Sequence, residues 1–385
     1  MEFVIQKSDL VRELQTVTGV VEKRTTLPIL ANLLLEAQTG GIEVGASDLE
    51  ISIRGKVSAK VKGTGSVTLP ANKLHEIARL LPGAEVTFKV LERSQVAISC
   101  ERTRYRISGQ PRDEFPSFLE VDRGESIQVP GEMLRRMIAR VAFAASMESM
   151  DPSLRGALLL VQKGQITLVA TDGYRLSYVS QKAPVAPAGG DVRLVIPRKA
   201  LLELQKLLGE VADGETLAFG TKGNHVFFLV GAHVLTSTVP VLNFPKYDQV
   251  MPKAYQTSIV LPTEGRMEAV KRVALLASDR FGRVVKFELS PGTLELSRGT
   301  EMGEAADELP VDYEGVERKV SFSSQFILDF LSVVDTPSVK MEMEPGAPGD
   351  GDGQRAKRGA DAPVEFRPGP AEEMEYRYIV MPRNV

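Results

Sequence analysis

Three stretches of this 385-residue chain overlay without a gap, and that internal repeat restricts its possible folds more than any other feature. They are Ser66 to Leu81, Arg193 to Leu208 and Lys319 to Val334, whose starts lie 127 and then 126 residues apart. Each opens on alternating apolar residues (Val67 and Leu69, Leu194 and Ile196, Val320 and Phe322) that read as a short strand. Pro70, Pro197 or Ser323 follows, residue types suited to an N-cap or a first helical turn. Leu74, Ile77, Ala78 and Leu81 then recur at i, i+3, i+4 and i+7, one apolar helix face. Leu201, Leu204 and Leu208 repeat that face, as do Ile327, Phe330, Leu331 and Val334, and an acid keeps its place at Glu76, Glu203 and Asp329.

A second strand-and-helix element lies upstream of each copy: Phe3 to Val17, Ile127 to Val141 and Ile259 to Val273. Between the helices, the alternating segments Ile42 to Ile53 and Ile166 to Val179 align at an offset of 124, which places Asp48 over Asp172. Phe115-Pro116 and Phe244-Pro245 close the first two copies, whereas the third closes on Tyr376 to Met381. The pattern predicts an α+β fold of three homologous tandem domains, 1–124, 125–257 and 258–385. Each domain is expected to hold two helices covering one face of antiparallel strands. Pro345 to Pro370 has six Gly and five Pro in 26 residues, a composition that reads as an extended, disordered loop within the third domain.

Composition narrows the chemistry. The single Cys100 excludes a disulfide framework and a cysteine-based zinc site, and His75, His225 and His233 lie far apart. No run approaches the ~18 apolar residues of a membrane span, and Met1 to Asp9 has no signal-peptide pattern, so a cytoplasmic protein without a membrane partner is expected. The net charge of −3 is unevenly distributed. The helical windows 7–18, 71–81, 131–146, 198–208, 263–276 and 323–334 hold 13 Lys/Arg against 8 Asp/Glu, leaving −8 for the rest. The cations concerned include Lys73, Arg79, Arg135, Arg136, Arg140, Arg198, Lys199, Lys206, Arg266, Lys271 and Arg272. Exposed helix faces are commonly charged. If the repeats place their helices on one side, however, these cations form a surface suited to phosphate backbones. No motif for reading bases accompanies it.

No nucleophile elbow, Walker loop or metal-ligand pattern occurs, and no cofactor or metal is expected. The most distinctive polar string, Ala170 to Leu176, offers Asp172 as a base and Arg175 as an anion clamp, without a nucleophile beside them. Asp172-Gly173 between alternating apolar runs equally signals a hairpin turn, on which a binding surface could be built. The C-terminal Tyr378 to Val385 is apolar enough to complete a strand or to line a groove for a partner peptide.

Thr25 to Asn32, Ala170 to Leu176 and Tyr378 to Pro382, in that order and together with the repeat, resemble the bacterial DNA sliding clamps, the beta subunits of DNA polymerase III holoenzyme. The resemblance covers essentially the whole chain except Pro345 to Pro370. It implies a ring closed by two chains head to tail, with helices lining the hole and sheets outside. Duplex DNA passes through without sequence preference, and no catalytic residue is implied. Implied partners are the replicative polymerase's catalytic subunit, the clamp loader, and other polymerases and repair proteins bearing short hydrophobic peptides.

For the peptide groove the resemblance points to Leu158, Thr171, Gly173, Tyr174, Arg175, Leu176, Pro245 and Val250, with Phe281, Ser323, Phe326, Val339, Ile379, Met381 and Pro382. Gln249, Ser323, Tyr174 and Asn384-Val385 differ from residues common among relatives. It places Tyr105 and Ile107 against Leu275 and Leu276 at the dimer interface, with Arg102, Arg104 and Arg106 facing acids such as Glu301 and Glu304. DNA contact falls to Arg24, Lys73, Arg136, Arg198 and Lys199. Two other readings stay open: a non-replicative DNA-binding scaffold of the same architecture, and a hydrolase or transferase using Asp172 and Arg175.

Overall fold

All six amphipathic windows fold as helices: α1 (Lys7–Val17), α2 (Ala71–Leu80), α3 (Gly131–Val141), α4 (Arg198–Gly209), α5 (Thr263–Ala274) and α6 (Ser324–Leu331). The computed structural model describes all residues except 23–25, 122–125, 184–189, 213, 256, 277–282, 344–361, 371 and 384–385. Pro70 and Pro262 occupy N-cap positions, while Ser323 caps α6 without a side-chain hydrogen bond. No helix among the described residues is long and apolar enough to cross a membrane.

The helices and strands gather into two compact units, and the middle repeat is divided between them. The first is built mainly from Met1–Arg135 and Lys199–Val241. Its five-stranded sheet runs Lys60–Gly63, Glu2–Gln6, Glu85–Val90, Gln95–Cys100, Thr103–Ser108. Phe3 stacks on Phe88 in its core, with ring centroids 4.8 Å apart, and the inward stripes Leu10, Leu14 and Val17 of α1 and Leu74, Ile77 and Ala78 of α2 are buried. An eight-stranded sheet joins four strands of the middle repeat (Ile127–Pro130, Thr216–Lys222, His225–Val230, His233–Thr238) to four of the first (Ile51–Val57, Gly41–Ser47, Asn32–Gln38, Gly65–Pro70). The seam is antiparallel, His233 opposite Gly55 through Ser237 opposite Ile51.

The second unit, mainly Arg136–Pro184, Asp191–Arg198 and Leu242–Val385, follows the same plan. Its eight-stranded sheet runs Val192–Pro197, Gly156–Gln162, Gln165–Thr171 and Arg175–Lys182, then Glu375–Val380, Val364–Pro368, Ser338–Met343 and Thr257–Pro262. Here the seam pairs Arg175 with Val380 through Ser180 with Glu375. A four-stranded sheet of Gly303–Pro310, Thr293–Thr300, Val284–Ser290 and Arg318–Ser323 completes it.

Two expectations are corrected. The stretch 345–370 is not a loop throughout: Val364–Pro368 is a strand hydrogen-bonded on both sides, with Phe366 fully buried. Average composition over 26 residues conceals these five, whose neighbours on both sides supply the ladder. Nor do all the helix cations share a surface. Arg140 and Arg266 are 1% and 0% exposed. Arg140 is neutralised by Glu372. Among the described residues the guanidinium nitrogens of Arg266 have no hydrogen-bond partner, its charge lies 5.8 Å from the Phe366 ring centroid, and burial lowers its pKa to about 9. Lys73, Arg135, Lys206 and Lys271 pair with acids three positions away on their own helices.

Candidate partner-binding site at the second seam

The Asp-Gly signal is a turn, and its conformation explains its residues. Gly173 has φ of +90°, a region a side chain disfavours. Asp172 Oδ1 accepts the backbone N–H groups of Tyr174 and Arg175, both at 3.0 Å, and Oδ2 accepts Arg175 Nε at 3.0 Å. Thr171 Oγ1 accepts Gly173 N at 3.1 Å and donates to Arg175 O at 2.6 Å. Both Asp172 oxygens are therefore engaged in holding the turn, an arrangement that favours the structural role over that of a free base.

Arg175 ties the turn to α6 and to the segment after α3. It donates to Asp329 at 2.6 Å and to Phe143 O at 2.8 Å, and its guanidinium lies 4.3 Å from the Phe326 ring centroid. Burial opposes its charge, but Tyr378, Asp329 and Asp172 outweigh that cost and raise its pKa above the ordinary value. The C-terminal segment closes beside it: Met381 N donates to Tyr174 O and Arg383 N to Ser321 O, each at 2.8 Å. The Arg383 guanidinium stacks 4.5 Å from the Tyr174 ring centroid.

Next to the turn lies an apolar bed of Leu158, Leu160, Val169, Leu176, Val195, Phe244 and Ile379, with Tyr178, Leu242, Tyr247 and Met251 half-buried against it. Strand alternation sends these sheet side chains to one face. The segment 242–251 crosses that face and leaves Pro245 and Val250 exposed. The bed is buried, and the half-buried Tyr178, Leu242, Tyr247 and Met251 with the exposed Tyr174 and Val250 form the apolar surface that suits a short hydrophobic segment.

The structure brings most of the expected groove residues together. Leu158, Leu176 and Ile379 form the bed, Thr171 to Arg175 the turn, Ser323 and Phe326 the start of α6, and Met381 and Pro382 the half-buried tail. Val339 is not among them: it is fully buried in Ser338–Met343, two strands from Ile379. Phe281 lies outside the described residues. Sequence reasoning missed Leu160, Val169, Tyr178, Val195, Leu242, Tyr247 and Met251. Their signal was alternation on adjacent strands, which shows a face but not what covers it.

The remaining candidates lie elsewhere. Lys73 is exposed and paired with Glu76, and Arg136 contacts Asp335 and Glu372. Arg198 donates to Ala142 O at 2.9 Å. Lys199 is held by Val20 O at 3.1 Å and by Asp48. Arg24 lies outside the described residues. Tyr105 and Ile107 lie on the edge strand Thr103–Ser108; Leu275 is 82% exposed at the end of α5, beside Leu276.

Comparison with known proteins places this geometry. Family models of the DNA polymerase III beta subunit match residues 1–119 (N-terminal domain), 128–246 (central domain) and 248–348 (C-terminal domain). The beta sliding clamp of Pseudomonas putida is 32% identical over 343 residues, covering 89% of this chain and 92% of the relative. Among solved structures, the griselimycin-bound clamp of Pseudomonas aeruginosa superposes with a TM-score of 0.88 at 29% identity, over 100% of both chains. The griselimycin-bound clamp of Bartonella birtlesii gives 0.89 at 29%, again over 100% of both.

Proposed function

The chain belongs to the DNA polymerase III beta subunit family, the bacterial sliding clamps, and from that premise we propose how its residues serve a processivity factor. The observation that carries the reading is the apolar bed at the second seam, bounded by the Asp172–Arg175 turn, the segment 242–251 and the tail Met381–Pro382. A hydrophobic peptide of the replicative polymerase, the clamp loader or a repair protein lies on that bed, gaining most of its affinity from buried apolar area. Arg175, already paired, holds the turn and Phe326 in place. Nothing in this role calls for a catalytic residue or a cofactor.

Ring closure uses the open edges of the two end sheets. Thr103–Ser108 presents Arg104 and Arg106 around Tyr105, while Gly303–Pro310 presents Glu304 and Glu308. Two chains pair these edges head to tail, basic strand against acidic strand, and Leu275 and Leu276 meet Tyr105 and Ile107. The domains 1–124, 125–257 and 258–385 then occur twice around duplex DNA, with the helices inside. Arg24, Lys73, Arg136, Arg198 and Lys199 supply weak, sequence-independent phosphate contacts in the cytoplasm. The ion pairs that Lys73, Arg136 and Lys199 already make suit such contacts, because a cation already half-neutralised attracts DNA without arresting it.

Retention on DNA tests the function. The full-length chain, loaded by its clamp loader, should stay on nicked circular DNA and run off after linearisation. Equal retention on both forms favours the scaffold reading. Removal of Met381–Val385 should abolish peptide binding and spare the dimer; unchanged peptide affinity refutes the groove.

A further inference from the structure

We propose that the Glu365–Arg377–Tyr255 network is a positioning device for the peptide groove, fixing the segment 242–255 that forms one of its walls; this rests on the groove reading above. The wall is a crossing segment, so its own backbone bonds are few: Tyr247 N to Pro245 O at 2.8 Å, Gln249 N to Lys246 O at 3.2 Å and Val250 N to Tyr247 O at 3.1 Å close one short turn. Leu242, Phe244, Tyr247 and Met251 lie against the bed, yet dispersion contacts alone leave such a segment free to slide. The polar anchor lies just beyond Met251.

Glu365, from Val364–Pro368, is 0% exposed, a burial that a carboxylate tolerates only with full compensation. Arg377 Nε and Nη2 donate to its two oxygens at 2.8 and 2.7 Å. Arg367 Nε adds a bond of 2.5 Å, and the Tyr255 hydroxyl donates to the second oxygen. The same Arg377 Nη2 reaches Pro252 O at 3.1 Å and the Tyr255 hydroxyl at 3.0 Å, and Arg367 Nη2 reaches that hydroxyl at 3.1 Å. Two residues of the crossing segment are thus held by one buried charge cluster. Glu365, through its hydrogen bonds and charge, raises the Arg377 pKa, and burial with Glu365 beside it raises that of Tyr255.

The link to the bed is one strand pair long. Arg377 lies directly opposite Tyr178, and the Tyr178 ring lies 6.2 Å from that of Tyr247, centroid to centroid. Glu365 therefore sets the position of the wall from outside the groove, where no peptide touches it. A pre-formed wall spares the peptide the cost of ordering the segment on binding.

The test uses the full-length dimer with two variants, Tyr255→Phe and Glu365→Gln, and two probes, a labelled hexapeptide containing Leu and Phe, and griselimycin. Peptide Kd should rise about tenfold in each variant, mainly through faster dissociation, with dimer mass unchanged. Tyr255→Phe removes one hydroxyl and keeps the ring, so it tests the inference even if Glu365→Gln folds poorly. The loss should shrink to less than about twofold when Met251→Ala has already removed the wall contact, because residues acting through one wall are non-additive. Wild-type binding of the probes with both variants within twofold of it overturns the inference and leaves the groove reading intact. Losses that multiply unchanged in the Met251→Ala background overturn it too, since they mark a general structural effect. Failure of the wild-type chain to bind either probe overturns the groove reading, and this inference with it.

Discussion

The two seams between repeats share a backbone plan and differ in chemistry. Asp48 accepts Glu50 N at 2.9 Å and Ile51 N at 2.6 Å, the same turn that Asp172 makes 124 residues later. On the first seam's face, the aligned positions Glu36, Gly45, Ser52, Arg54 and Thr68 interlock. Arg112 bonds Glu36 at 3.2 Å, Ser52 bonds Thr236 at 2.5 Å, and Thr68 bonds Asn32 at 3.1 Å. The Phe118 ring lies over Gly45, where a Cβ would come within 2.3 Å of it. Arg54 reaches Leu119 O at 3.2 Å and sits 5.9 Å from the Phe118 centroid. The counterparts at the second seam are Leu160, Val169, Leu176, Tyr178 and Val195, and all of them join or pack on the apolar bed. The polar groups of the first face are satisfied within their own chain, beside an apolar cluster of Ala218, Phe227 and Leu229. Around the second bed, the half-buried Tyr178, Leu242, Tyr247 and Met251 and the exposed Val250 leave apolar area for a guest to bury.

The seams also differ in their braces. Across the second, Arg140 donates to Glu372 through both Nη atoms, at 3.0 and 2.5 Å, while Ser177 and Tyr376 hydroxyls bond Arg140 O. Across the first, Glu13 of α1 meets His233 Nε2 at 3.0 Å beside Gly55. Burial opposes charge on His233, but the Glu13 hydrogen bond and the charges of Glu13 and Glu210 outweigh it and the repulsion of Arg12, raising the pKa.

The largest expected effect is on the second brace. Arg140→Met leaves the buried Glu372 carboxylate without its main partner and should destabilise by about 3–5 kcal/mol, read as a lower denaturation midpoint. Converting the second face toward the first, with Val169→Gly and Leu176→Ser together, should weaken peptide binding by about 100-fold, or about 2.7 kcal/mol. Titration calorimetry checks it, and retention of wild-type affinity would falsify the comparison. The reverse change, Gly45→Val, must expel Phe118 and should cost about 1–3 kcal/mol of stability while leaving peptide affinity unaltered. The smallest effect concerns pH. A His233 pKa raised on folding stabilises the chain fully below the unfolded value, and that contribution fades as pH rises through the folded value. Hydrogen exchange in His233–Thr238 and Ile51–Val57 should therefore quicken relative to the second seam across that window. In His233→Gln the difference should vanish.

Legibility followed range. The helices, the strands before them and the Asp172-Gly173 turn depend on residues within a few positions, and all were readable. The turn and the tail each read as a candidate binding element on their own, but that they belong together was legible only through resemblance. Tyr247 and Met251 escaped notice because a crossing segment has no periodicity of its own. Arg140 and Lys206 occupy similar helix positions by sequence, yet one is buried against Glu372 and the other is exposed. The partner that decides this is 232 residues away.

By itself, then, the sequence determined the unit and its number: periodicity and capping are local, and a repeated local pattern repeats its fold. Tertiary structure alone decided how the repeats were shared out. Strands pair with whichever edge lies open, so the middle repeat gave four strands to each neighbour. Burial of one face depends on what the connecting segment lays across it. Phe118 and Arg54 sealed the first face, whereas Glu365 and Arg377 hold the connecting segment at the edge of the second. One repeated backbone therefore carries one closed seam and one seam proposed to bind peptides, a difference set by side chains that meet only after folding.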